Sequence, residues 1–240
     1  MSEAGPLVDV DSVPEWLRAL VEISGDLDSK AFTRFSPPED AYLRQASVLV
    51  LLGEGRNGPD VLLLRRADTL GSHAGQVAFP GGGADDGDDG PVGTALREAE
   101  EETGVDPAGV RPLAILPELF VPVSGFAVTP VLAHWVKPSP VRAVDFGETA
   151  AVARIAIADL VDPANRFQVQ RADARWKGPA FEVDGMFVWG FTAGLLAVLL
   201  ALGGWERDWD RNDVRDLAVA LSDHEARVAA TPGQGATNRE

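Results

Sequence analysis

Glu98, Glu101 and Glu102 stand at positions i, i+3 and i+4 within Arg97-Glu98-Ala99-Glu100-Glu101-Glu102-Thr103-Gly104-Val105. On a helix turning about 100° per residue, this spacing gathers three carboxylates on one face. Val92, Ala95, Leu96 and Ala99 gather on another flank, so the same helix can bury a small apolar side while presenting an acidic one. The acidic face opposes local stability. Like charges at this spacing cost roughly 0.2–0.5 kcal/mol per pair, and Glu101 and Glu102 lie toward the negative end of the helix dipole. Divalent cations held between these oxygens relieve the repulsion and would also neutralise a diphosphate. A solvated acidic helix on an acidic protein accounts for three glutamates equally well, so the neighbouring residues have to decide.

Composition narrows the chemistry. The 240 residues include no cysteine, which excludes a thiol nucleophile, a disulfide framework and cysteine-bound zinc. His73, His134 and His224 are too scattered for a histidine metal cluster. The ligands of any metal are therefore oxygens, which points to Mg2+ or Mn2+. With 21 Lys and Arg against 37 Asp and Glu, the formal charge of −16 repels a phosphate backbone, so nucleic acid is not an expected partner. The start MSEAGPLVDVDSVPEW lacks the basic and apolar blocks of a signal peptide, and the apolar run from Phe191 to Leu202 is shorter than the roughly 20 residues of a membrane helix. These features lead to the expectation of a cytoplasmic protein with no membrane partner.

The elements that must position the glutamates follow from turn and cap signals. Gly90-Pro91 opens the acidic helix, with proline acceptable in its first turn, and Gly104 ends it. Before it runs a glycine-rich loop ending in Phe79-Pro80-Gly81-Gly82-Gly83, whose glycines allow the backbone close to a ligand. Asp88 and Asp89 are placed to cap the helix or to favour its positive end. Ala46–Leu52 and Val61–Leu64 read as a hairpin across a polar, glycine-rich turn. Further strands are expected at Val110–Leu116, Ala127–Trp135 and Thr149–Ile157, with helices at Phe191–Leu202 and over Asp208–Ala230. Strands and helices mix without a regular alternation, which predicts an α+β sandwich rather than a doubly wound parallel sheet. The expected organisation is an N-terminal helical extension over 1–41, a catalytic domain over 42–205, and a C-terminal helix with a frayed tail over 206–240.

The spacing around the acidic helix is the decisive pattern. Gly83, five residues, Asp89, seven residues, then Arg97-Glu98-Ala99-x-Glu101-Glu102-x-Gly104-Val105 resembles the Nudix box, with Asp89 where the family has Glu. The resemblance implies the Nudix fold over about 42–203, an α/β/α sandwich with a mixed β-sheet, and hydrolysis of a diphosphate linkage in a small-molecule nucleotide derivative. Leu62-Leu-Leu-Arg-Arg66-Ala67 followed by Gly75-Gln-Val-Ala-Phe79-Pro80-Gly81-Gly82 is similar to the signature of the coenzyme A pyrophosphatase subgroup, as are Ser124–Pro130 and Val188–Ala193. Gly71 and Leu64 depart from it, where the subgroup has arginine and threonine.

The roles this implies are specific. Glu98, Glu101 and Glu102 hold Mg2+ or Mn2+, which lowers the pKa of an attacking water. Arg97 orients a catalytic carboxylate. Glu148, in Phe146-Gly-Glu-Thr, resembles the extra acidic residue that some Nudix enzymes bring from a distant loop, although an ordinary loop glutamate fits as well. The general base is Glu98 by first choice and Glu148 by second. Arg66, Gly81, Gly82 and Gly83 contact substrate. His73, Trp189 and Trp205 are read as structural. The alternatives are a broader hydrolase of dinucleotides or nucleotide sugars, and a non-catalytic domain that senses a nucleotide; the intact glutamate cluster argues against the second.

Overall fold

Successive residues of one strand supply two different cores. Leu49 and Leu51 pack with Ala95 and Ala99 of the acidic helix, while Val50 and Leu52 pack on the other side with Leu195, Leu196 and Leu199. This strand is buried on both faces, which is why it reads as a nearly continuous apolar run instead of an alternation. Leu62 faces the acidic helix and Val61 and Leu63 face away; Val131 and Ala133 against Leu132 repeat the pattern.

The computed structural model describes residues 4–38, 42–172 and 176–230. In chain order the elements are β1 (Gly5–Pro6), α1 (Glu15–Ile23), β2 (Arg44–Gly55), β3 (Gly58–Arg66), β4 (Val77–Ala78), β5 (Gly81–Gly83) and α2 (Gly90–Thr103). Then come β6 (Val110–Ile115), β7 (Leu119–Val121), β8 (Phe126–Trp135), β9 (Thr149–Ala156) and α3 (Ile157–Leu160). The chain continues through β10 (Arg166–Gln170), β11 (Lys177–Val183), β12 (Met186–Val188), α4 (Gly190–Leu202), β13 (Val214–Asp216) and α5 (Leu217–Ala230).

The main sheet is mixed and runs β1-β6-β8-β2-β3-β4, with β5 on β2, β7 on β8 and β9 on β3. Its centre is the parallel pair β2 and β8, in register from Arg44 opposite Phe126 to Leu52 opposite His134. The predicted hairpin is β2 and β3, extended at both ends and turning at Arg56-Asn57, with Gly58 at φ +92°. One face of the sheet carries α2; the other carries α4 together with Leu17, Leu20 and Val21 of α1. This is the expected α+β sandwich with a mixed sheet. Among the described residues no helix is long and apolar enough to cross a membrane.

A second, four-stranded sheet, β12-β11-β10-β13, was not foreseen. It packs Phe167, Val169, Ala180 and Phe187 against Leu217 and Ala220 of α5. Its strands are short, and hairpins of 3–7 residues leave little periodicity to read. The helix expected over Asp208–Ala230 starts only at Leu217, because Val214–Asp216 pairs in parallel with β10 and the Asp216 carboxylate then accepts from Ala218 N at 2.9 Å and Val219 N at 3.2 Å as a helix cap. The tail from 231 onward lies outside the described residues.

Candidate active site

The acidic helix forms as its signals dictate. Pro91 sits in the first turn of α2, and Gly104 closes it in the left-handed region at φ +69°, its N–H donating to Glu100 O at 2.8 Å. Ala95 and Ala99 are fully buried, so small side chains bring the helix close to β2 and β8. That contact settles the rotation of α2. Glu102 is buried, Glu98 is partly buried with 18% of its side chain exposed, and Glu100 and Glu101 face solvent.

Arg97 is the hub of the polar network. Its Nη1 donates to Glu98 Oε1 at 2.9 Å and to Glu101 Oε2 at 3.2 Å, and its Nη2 donates to the Gly83 carbonyl at 2.9 Å. The guanidinium is gripped on its other edge by Asp88, with Nε to Oδ1 at 2.8 Å and Nη2 to Oδ2 at 2.9 Å, a two-point fork. The Asp88 carboxylate also accepts from Thr94 Oγ1 and from Asp85 N. Hydrogen bonding to Arg97 is the main reason its pKa is held below the ordinary carboxylate range, and the same bond raises that of Arg97. Capping is therefore not what either aspartate does. Asp89 occupies the N-cap position without a side-chain cap bond, and Asp88 holds the arginine. Thr94 was not singled out from the sequence, where nothing signals it: it lies six residues from Asp88, which is outside the helix.

The glycine loop packs directly under these glutamates. Gly81 N donates to Glu102 Oε2 at 2.9 Å, and a Cβ on Gly81 would run into the Ser47 carbonyl and the Val48 backbone of β2. A Cβ on Gly82 would overlap the Glu98 carboxylate. Close approach thus explains Gly81 and Gly82. Gly83 has open space around its Cβ position and contributes its carbonyl, to Arg97.

Glu102 is the electrostatic centre. Burial first, and then the negative charges of Glu98 and Glu148, push its pKa up to about 7, against the opposing Gly81 hydrogen bond and the Arg66 charge. Burial likewise raises Glu98, where Arg97 opposes and Glu101 and Asp85 assist. Arg66 reaches Glu102 Oε1 with Nη1 at 3.9 Å, aimed by a register shift between Arg65 and Arg66 against β9, and its buried Nε has no hydrogen-bond partner. Glu148 is exposed, and its carbonyl accepts from Ala67 N at 2.8 Å, which ties its loop to the end of β3. The fold therefore draws Arg66, Gly81, Gly82, Glu98, Glu102 and Glu148 into one neighbourhood, with Glu101 at its solvent edge. His73 lies apart in its loop, Nδ1 2.9 Å from Gln76 Oε1.

These donors suit a hard divalent cation: all are oxygens, two are desolvated, and their mutual repulsion is what a cation removes. Among the described residues no three such side chains are yet gathered around one point, because Arg97 holds Glu98 and Glu101 while Gly81 holds Glu102.

Comparison with known proteins identifies the family. The NUDIX domain family model matches residues 42–176. A protein of Cronobacter sakazakii named as an uncharacterized Nudix hydrolase, NudL, is 39% identical over 164 residues, covering 65% of this chain and 81% of that protein. NudL of Escherichia coli K12 is 37% identical over 161 residues, with the same two coverages of 65% and 81%. Among solved structures, the Nudix hydrolase RenU from M. smegmatis is 19% identical, covers 71% of this chain and 92% of its own, and superposes with a TM-score of 0.46. The chain belongs to the Nudix family and is a pyrophosphohydrolase of nucleoside diphosphate derivatives.

Proposed function

We propose that the substrate is coenzyme A or one of its derivatives, cleaved at the diphosphate to 4′-phosphopantetheine and adenosine 3′,5′-bisphosphate. One observation carries this reading: two segments that resemble the coenzyme A subgroup, Leu62–Ala67 and Gly75–Gly82, meet at the Glu102 carboxylate, and a third, Val188–Ala193, is bonded to the second. Arg66 of the first approaches Glu102; Gly81 of the second donates to Glu102; Val188–Ala193 is tied to the second through Thr192 Oγ1, which donates to the Val77 carbonyl at 3.0 Å.

Glu98, Glu101, Glu102 and Glu148 are proposed to hold Mg2+ or Mn2+. When bound, the cation supplies charge neutralisation to the diphosphate and a lower pKa to water. Arg97 orients Glu98 through Oε1, leaving Oε2 without a donor among the described residues to accept a proton from the attacking water. Glu148 is the second choice for that role. Arg66 and the backbone of Gly81–Gly83 face the substrate phosphates.

The test is substrate discrimination. Gly71, where the subgroup has arginine, has nothing within 4 Å of its Cβ position, so the longer side chain fits. A charge-assisted hydrogen bond is worth about 1.5–3 kcal/mol, or roughly one to two decades in affinity. Coenzyme A should be hydrolysed, and Gly71→Arg should widen the kcat/KM gap between coenzyme A and dephospho-coenzyme A. Hydrolysis of dinucleotides or nucleotide sugars with neither coenzyme tolerated would discard the subgroup and keep the family.

A further inference from the structure

A cavity of about 580 Å³ opens between the N-terminal segment, β7, β11 and the first turns of α4. It is not the carboxylate site. Gly83 pairs with Ala46, Ala46 with Val128 and Val128 with Leu119 on the cavity wall, a path of three strand spacings or about 14 Å.

Its lining has two zones. The floor is apolar and largely aromatic: Phe32, Leu119, Trp189, Phe191 and Leu195, all buried or partly buried. The mouth carries Lys30, Arg34 and Lys177, all exposed, with the Arg34 guanidinium 5.5 Å from the Phe35 ring. Among the described lining residues there is no Asp or Glu, on a chain whose formal charge is −16, and no Asn, Gln or His. The lining therefore offers cations and apolar faces and no anionic side chain among the described residues.

Gly194 supplies a second, independent observation. It lies inside α4, where glycine is the poorest helix former apart from proline, and an added Cβ would meet nothing within 4 Å. Close helix packing therefore does not explain it. What its missing side chain provides is room on the cavity wall.

We propose that this cavity binds a small amphipathic anion, with a single apolar tail against the aromatic floor and a carboxylate or phosphate head among Lys30, Arg34 and Lys177. The inference does not depend on the coenzyme A reading, because its primary readout is binding.

Calorimetric titration of the full chain with octyl phosphate and octanoate, below their micelle concentrations, should give saturable binding. Octylamine and octanol should bind at least about ten-fold more weakly. Gly194→Leu fills the cavity at a position that favours helix, so it should melt no lower than the natural protein yet weaken octyl phosphate at least about ten-fold. Lys177→Glu is the second variant, with a comparable loss for the anions and none for octanol. Octylamine binding as tightly as octyl phosphate, or a folded Gly194→Leu binding as well as the natural protein, would overturn the proposal. Two sources share this chemistry, and kinetics separates them: octyl phosphate raising KM for the hydrolysed substrate in the natural protein but not in Gly194→Leu identifies the substrate's own tail, whereas binding alongside substrate identifies a separate amphiphile.

Discussion

Two glutamates on this chain have opposite surroundings. Glu182 on β11 accepts from Arg227 Nη2 at 2.7 and 2.8 Å and lies 2.8 Å from His224 Nδ1, so that α5 is pinned to the second sheet. Burial alone would raise its pKa, but the hydrogen bonds from Arg227 and His224 overcome that and lower it. Glu102 on α2 is more deeply buried, is flanked by other carboxylates, and has one backbone N–H and a distant arginine to offset them. The first cluster is electrostatically satisfied and holds the fold together. The second keeps a deficit of positive charge that stability does not need, and a deficit of that kind is what binding a cation and a diphosphate resolves.

Exchanging charge for amide at each glutamate tests the contrast most severely. Glu102→Gln and Glu98→Gln should lower turnover at least about 100-fold, with Glu101→Gln losing metal dependence alongside activity. Without metal, Glu102→Gln should leave stability unchanged or raise it, since it removes repulsion. Glu182→Gln should do the reverse, costing roughly 1–2 kcal/mol in denaturant unfolding with turnover nearly intact. Near-normal turnover in the α2 variants would remove the proposed site.

The same contrast shows what the sequence could disclose. The glutamate face of α2 was legible because Gly90-Pro91 and Gly104 bound the element and the apolar flank of Ala95 and Ala99 fixes its rotation, and the sheet was legible because β2, β3 and β8 are long apolar runs. Asp88 was not. Its reach to Arg97 depends on the path of the loop over residues 83–90, which no periodicity encodes, so Asp88 and Asp89 both read as helix caps. The Glu182, His224 and Arg227 cluster was equally hidden, because residues 42 and 45 positions apart meet only once β11 and α5 are packed.

Asp88 sharpens the comparison within the active site itself, as the one fully engaged carboxylate there, with 8% of its side chain exposed. If it acts by holding Arg97, Asp88→Ala should lower kcat by about 10–100-fold with KM changing less, since the loss is one of positioning. Asp89→Ala, which breaks no side-chain bond, should stay near the natural rate. Equal effects at the two positions would mean that Asp88 does not act through Arg97. Glu148→Gln against Glu100→Gln is the corresponding pair at the edge of the site: both residues are exposed, but Glu148 lies close enough to raise Glu102, so its loss should reduce activity several-fold more. Matching effects would take Glu148 out of the site.

The smallest expected effect is the one that reads the two glutamates against each other directly, in the pH dependence of stability without metal. Glu102 has its folded pKa raised from 4.5 to about 7, so the folded state binds the proton more tightly than the unfolded state. Its contribution is fully present below pH 4.5 and is lost as pH rises toward 7. Glu182 is shifted the other way, so its contribution is present above 4.5 and is lost as pH falls through its lowered folded value. Denaturant unfolding of the natural protein and Glu102→Gln should therefore give a stability difference that grows in favour of the variant between about pH 4.5 and 7 and is flat above, on the order of 1–3 kcal/mol at most. Glu182→Gln should instead lose its disadvantage toward acid pH. Saturating Mg2+ should shrink the Glu102→Gln gain at neutral pH, because the cation stabilises the ionised carboxylate and the amide cannot replace it. A gap that ignores both pH and Mg2+ would mean that Glu102 is already compensated within the fold, and its likeness to Glu182 would then outweigh the contrast.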